Sequence, residues 1–176
     1  MTPSWRLRVR LPAAVIALLL PGPPGLRAQP TAAPLSAPST EDLVRALTPG
    51  ATARSLGTRN LRVEAPTVDL TVNFDLDSAR LQPDARALVE RLAAAMDSPA
   101  LRTLRFRVEG HTDARGTPAH NAALSTRRAR AVVDLLIARG IGGDRLEAVG
   151  KGFSELLDPA DPHAALNRRV RVRVLD

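Results

Sequence analysis

Two hydrophobic periods organise the second half of this chain. Val68, Leu70, Val72 and Phe74 alternate with Asp69, Thr71 and Asn73, which predicts a strand with one buried face. Pro83 follows where a first helical turn tolerates it. Leu88, Val89, Leu92 and Met96 then form a helical stripe that carries the helix to about residue 96. Alternation returns with Leu104, Phe106 and Val108 around Arg105, Arg107 and Glu109, and stops at Gly110. A loop over 111–118 leads into a long helix over 119–139, with Thr117 as cap, Pro118 at its first position and Gly140 as stop. Asp144 suits the cap of a short turn, 146–149 reads as a weak strand, and Val170, Val172 and Val174 alternate with Arg171 and Arg173 in a last strand. The order predicts an α+β fold over 67–176: one mixed four-stranded sheet with helices packed on one face.

Before residue 67 the pattern differs in kind. Arg6, Arg8 and Arg10 precede an apolar run from Leu11 to Leu20, and a cluster of Pro and Gly leads to Leu26-Arg27-Ala28. A positive start, a short apolar stretch and a small closing residue read as a secretory signal over 1–28. A spanning helix would need roughly 20 apolar residues, about twice this run. Residues 29–40, QPTAAPLSAPST, place Pro30, Pro34 and Pro38 at regular intervals and read as an extended Pro/Ala-rich linker. Ser39 suits the cap of a short helix over 41–47, stopped near Pro49. Residues 50–66 show no period, so 41–66 stands as a short N-terminal extension without an assigned role.

Charge changes the picture less than it first promises. The chain has 25 Lys+Arg against 18 Asp+Glu, a net charge of +7. Four of those basic residues fall in the signal segment and no acid does, so its removal leaves 21 against 18, or +3. The apparent pull toward nucleic acid is largely a targeting signal. The sequence has no cysteine, which excludes a disulfide scaffold, a thiolate metal site and a Cys nucleophile.

Candidate chemistry sits on the long helix. Steps of three and four mark its inward stripe as Asn121, Leu124, Arg128, Val132 and Leu135. A guanidinium on an apolar face costs several kcal/mol unless paired, and Asp113 on the preceding loop is the obvious partner. A structural ion pair, or an Arg at the stripe's edge reaching to water, accounts for the same spacing.

Several spaced motifs make the pattern specific. Val108-Glu109-Gly110-His111-Thr112-Asp113, Gly116, and Asn121-x-x-Leu124-Ser125-x-x-Arg128-Ala129-x-x-Val132 resemble the OmpA-like peptidoglycan-binding domain family. Its opening pattern is matched by Phe74-Asp75 with Ser78, Leu81 and Pro83. Its closing pattern is matched by Arg145-Leu146, Gly150-Lys151-Gly152 and Asn167-Arg168-Arg169-Val170. The stretch 113–118 is especially similar to the Pal branch, the peptidoglycan-associated lipoproteins.

The resemblance implies a β/α sandwich without catalysis or cofactor, binding the wall's stem peptide through the free amino-acid end of meso-diaminopimelate. By that likeness Asp113 accepts the ligand ammonium and Arg128 forks onto its carboxylate, the types a zwitterion requires. Thr112, Asn121 and Leu124 line the pocket, backbone N–H groups around Phe74 and Asp75 cradle the carboxylate, and Arg168 adds a further contact. A pocket without ligand keeps Asp113 and Arg128 beside each other. Only 38 residues separate Ala28 from Thr67, too few for an outer-membrane barrel of eight strands of about 9–11 residues. With no cysteine for a lipid either, the expectation is a periplasmic wall-binding domain, associated with the outer membrane by means the chain does not reveal. Outside the signal segment only Phe74, Phe106 and Phe153 are aromatic, so the charged peptide, rather than the glycan, is what such a domain would read.

Two other readings compete. Glu109, His111 and Asp113 alternate at a strand end and could converge on a metal, with His120 or His163 as an extra ligand, in a metal-dependent periplasmic hydrolase. Arg102, Arg105, Arg107, Arg171 and Arg173 could instead form a basic sheet face that docks an envelope protein, or simply a solvated strand face.

Overall fold

The computed structural model describes residues 34, 35, 37–50 and 65–175. The expected signal over 1–28, the start of the linker and 51–64 lie outside the described residues. Among the described residues no helix is long and apolar enough to cross a membrane.

Seven regular elements follow in chain order: α1 (Thr40–Leu47), β1 (Thr67–Leu70), α2 (Pro83–Met96), β2 (Phe106–His111), α3 (Pro118–Ala138), β3 (Leu146–Gly152) and β4 (Val170–Val174). The four strands form one sheet in the order β1-β4-β2-β3. β4 runs antiparallel to both β1 and β2, whereas β2 and β3 are parallel and joined through α3. A parallel pair requires such a crossover, because its connection must return along the whole sheet. The architecture is the mixed, one-sided α+β sheet that the alternation predicts.

Strand register separates the two faces. Val68 pairs with Val172 and Val172 with Val108, while Leu70 pairs with Val170 and Phe106 with Val174. These side chains share the face that packs on the helices, where they join Leu88, Leu92 and Met96 of α2 and Val132 and Leu136 of α3 in one core. By the period of two, Asp69, Arg107, Glu109, Arg171 and Arg173 project from the other face.

The first strand is shorter than its alternation suggests. β1 ends at Leu70, and Phe74 instead makes an isolated antiparallel bridge with Leu81 that closes the loop between them. Order also begins earlier than the linker composition implies. Leu35 pairs in parallel with Leu70, donating from its N–H to Asp69 O at 2.8 Å and accepting from Thr71 N at 2.9 Å. The buried Pro38 accepts from Arg91 Nε at 3.0 Å. Ser39 caps α1 through a reciprocal capping box with Asp42. Leu43 and Leu47 of that helix are fully buried in the common core, so α1 belongs to the folded domain.

The long helix is rotated relative to the stripe expected from its spacing. Its buried residues are Asn121, Leu124, Ser125, Ala129, Val132 and Leu136. Arg128 and Leu135 lie half-buried on the shoulder of that face. The cause is a close approach to the sheet. A Cβ at Gly110 would fall far inside contact distance of the Ser125 carbonyl, and one at Gly150 would meet Thr126. Two glycines on adjacent strands let the helix backbone press onto the sheet, and only small side chains such as Ser125 and Ala129 fit beneath it. Ser125 Oγ there accepts from Gly152 N at 2.9 Å.

Candidate functional site

The site lies where β2 and β3 end. Beyond His111 the chain crosses to β3, with Thr112 N donating to Gly152 O at 2.8 Å, and then turns through 113–117 into α3. The turn is built locally: Asp113 Oδ1 accepts from Arg115 N at 3.1 Å, and Asn121 Nδ2 donates to Arg115 O at 2.7 Å. Thr117 Oγ1 caps α3 by accepting from His120 N. Asp113, Thr112, Asn121 and Leu124 are all buried in this corner. The Thr112 hydroxyl is buried without a hydrogen-bond partner among the described residues.

The cations around Asp113 differ from the expected pair. Its partner is Arg168, whose Nη1 lies 2.8 Å from Asp113 Oδ2; the guanidinium of Arg115 stands at 4.0 Å. No ion pair joins Asp113 to Arg128. Arg128 donates instead from Nε to Ser78 O at 2.9 Å, and its guanidinium lies 4.8 Å from the centre of the Phe74 ring. Placement on the helix shoulder explains the difference, because it turns Arg128 toward the loop after β1. Burial, and then the charge of Arg168, lower the pKa of Arg128, while Asp77 and Asp113 support its charge. Asp113 and Arg168 both act on the charge of Arg128, and Asp113 is paired with Arg168 rather than with Arg128.

The two residues expected to offer backbone N–H groups have further contacts in the fold. Phe74 offers its ring to Arg128, and Asp75 N is already bonded to Arg80 O at 3.1 Å, because closure of the loop over 74–81 consumes it. Asp77 at the turn of this loop adopts a left-handed φ of 49° and bonds to His120 Nε2 at 2.8 Å, tying the loop to the first turn of α3. Next to it, Leu76 is 99% exposed. A groove of about 460 Å³ lined by Asp75, Arg80, Leu81, Gln82, Pro83 and Arg86 shares only Asp75 with the residues expected to bind. Ser78, Arg115 and the His120–Asp77 bond were not identified as parts of a site from spacing. Ser78 stood in the opening motif, but its carbonyl carries no side-chain signal.

A second charged cluster occupies the opposite face of the sheet. Asp69 accepts from Arg169 Nε at 3.0 Å and from Arg171 Nε and Nη2 at 2.9 Å each. Burial opposes the Asp69 charge, but Arg171 and then Arg169 outweigh it and hold its carboxyl below the usual range. Glu109 and His111 are buried beside them, with Oε2 and Nε2 3.8 Å apart. The metal triad read from the strand end does not assemble, because Asp113 is committed to the turn and to Arg168. Glu155 takes its place, its ligand atom within 4.8 Å of those of Glu109 and His111. Lys151, Arg171 and Arg173 lie against these acids, and Arg169 beside them, so the local field opposes a divalent cation. Three of the arginines expected to make a basic face have acidic neighbours there: Arg107 pairs with Glu147 at 2.9 Å, Arg171 with Asp69 at 2.9 Å, and Arg173 lies 3.9 Å from Glu109.

Fold and site together define a one-sided α+β domain with a charged mouth at the ends of its parallel strands. Residues 73–173 match the OmpA family, and the chain belongs to it. It is 42% identical over 115 residues to outer membrane porin F of Pseudomonas aeruginosa, which covers 63% of this chain and 32% of that one. A peptidoglycan-associated lipoprotein of Rhizobium meliloti is 38% identical over 90 residues, 48% of this chain and 50% of the relative. The chain thus spans about a third of the first of these curated relatives and half of the second. Among solved structures, a MotB-like protein of Desulfovibrio vulgaris superposes with a TM-score of 0.53 at 27% identity, covering 61% of this chain and 71% of that one.

Proposed function

We propose that this domain binds peptidoglycan noncovalently and without catalysis, by taking the zwitterionic end of a stem-peptide diaminopimelate between Asp113 and Arg128. The observation that carries the reading is the state of Arg128. Its Nε is anchored on Ser78 and its plane is supported by Phe74, while its Nη edge makes no bond to any described residue. A guanidinium held by one nitrogen keeps a two-nitrogen fork for a carboxylate. The buried Asp113 supplies the anion that an ammonium requires, and the unpartnered Thr112 hydroxyl adds a polar contact. Asn121 and Leu124 form the wall, Phe74 and Asp75 belong to the loop that holds Arg128, and Arg168 stands at the mouth. The name of the Rhizobium relative, a peptidoglycan-associated lipoprotein, supports the same ligand. A periplasmic location at the outer membrane is the companion proposal, supported by the signal-like start and by relatives named for that membrane.

Co-sedimentation with purified sacculi tests the reading. The protein is expected to pellet with the wall and to be released by soluble meso-diaminopimelate, while Asp113→Ala and Arg128→Ala variants stay in the supernatant. Wild type that remains soluble, or variants that pellet equally well, would overturn it.

A further inference from the structure

The position of Arg168 has a consequence for which peptide end is accepted. Among the described residues its one ion pair is with Asp113 at 2.8 Å, and its side chain remains 43% exposed. Its neighbour Arg169 is nearly fully buried and bonded to both Asp69 and the Glu155 carbonyl. Adjacent arginines thus differ in kind: one is built into the sheet, the other rests on the binding carboxylate by a single nitrogen. Arg168 is also close enough to Arg128 to disfavour its charge. The buried Asp113 carboxylate is thus held by Arg168 at 2.8 Å, with Arg115 at 4.0 Å, while Arg128 stays on Ser78. Asp77, whose charge also reaches Arg128, is largely exposed and bonded to His120.

We infer that Arg168 holds the ammonium position in the free protein and moves onto a second ligand carboxylate when the ligand ammonium takes Asp113. The preferred ligand is thereby a monoammonium dicarboxylate end: one ammonium for Asp113, one carboxylate for Arg128 and another for Arg168. This inference rests on the diaminopimelate reading above. An end with one ammonium and one carboxylate displaces Arg168 and leaves it facing Arg128 without a counter-ion. A dicarboxylate end supplies that counter-ion, and a charge-assisted bond of this kind favours it by about tenfold.

Two synthetic stem peptides distinguish the possibilities by isothermal titration. One is an N-acylated tripeptide ending in meso-diaminopimelate with both of that residue's carboxylates free. The other is the same peptide amidated at the carboxylate remote from the free ammonium. Wild type is expected to bind the diacid about tenfold more tightly than the amide. Arg168→Gln is expected to bind the two equally, because the cation that tells the second carboxylate from its amide is gone. Arg168 is half-exposed, and an unchanged thermal midpoint confirms that the variant folds. Equal binding of both peptides by wild type, or a preference that survives Arg168→Gln, overturns the role of Arg168 and leaves the Asp113–Arg128 reading standing. Failure of wild type to bind either peptide overturns that reading as well.

Discussion

The two charged regions of this domain use the same residue types to opposite ends. On the sheet face Asp69 sits between Arg169 and Arg171 and accepts three hydrogen bonds, with every partner in a strand or immediately beside one. At the strand ends Asp113 is shared by turn and mouth, its main ion-pair partner is half-exposed, and Arg128 rests on a carbonyl and a ring. The first arrangement satisfies its charges internally and leaves little for a ligand to gain. The second leaves charge only partly paired at a corner assembled from four segments. On the proposed reading, carboxylate and arginine content does not tell the two regions apart; the fraction of that charge already satisfied does.

The largest test of this contrast is Asp69→Ala. It leaves Arg169 buried without its counter-ion, and a loss of about 4 kcal/mol in urea unfolding is expected. Asp113→Asn, which keeps the turn's acceptor, should change stability by less than about 1 kcal/mol while abolishing sacculus binding. A comparable stability loss at both positions would erase the distinction.

Acidity separates the regions next. Burial lowers the His111 pKa below its ordinary 6.5, and Glu109 beside it opposes this only in part. The unfolded chain takes up that proton first as pH falls, so the His111 contribution is complete above about pH 6.5 and declines below it. Stability should fall between pH 7 and 5 with a slope of at most about 1.4 kcal/mol per pH unit, and His111→Gln should flatten that slope. Asp69, held below the ordinary 3.8, adds a further loss only as pH drops under that value. The smallest effect belongs to Arg107→Ala, which breaks the exposed pair with Glu147 on the same face. A change within about 0.5 kcal/mol is expected, showing that burial rather than membership of the face sets the energy.

Much of this was legible before any coordinates. Pro83 and Met96 bound α2 where the pattern placed them, and Thr117, Pro118 and Gly140 mark α3 correctly because caps and breakers act on their immediate neighbours. The family was legible through motifs at Phe74, His111–Asp113, Arg128 and Arg168, and the match over 73–173 bears it out. Less legible was the partner of each charge. Arg168 meets Asp113 across 55 positions and Arg171 meets Asp69 across 102, separations at which no periodicity operates. The inward face of α3 carries Asn121, Leu124 and Val132 as the spacing predicts but takes Ala129 and Leu136 in place of Arg128 and Leu135, because the glycines that let the helix approach lie on β2 and β3.

By itself the sequence determined which segments are strands and helices, which strand faces are apolar, where the helices stop, and which motifs stand in what order. Those properties follow from interactions between residues a few positions apart. Tertiary structure alone decided that α1 joins the core, that Leu35 lies along β1, and that Arg168 rather than Arg128 rests on Asp113. Each of these depends on which separate elements meet once the sheet is assembled, across separations too long for any local pattern; for α3 the approach is set by packing at Gly110 and Gly150.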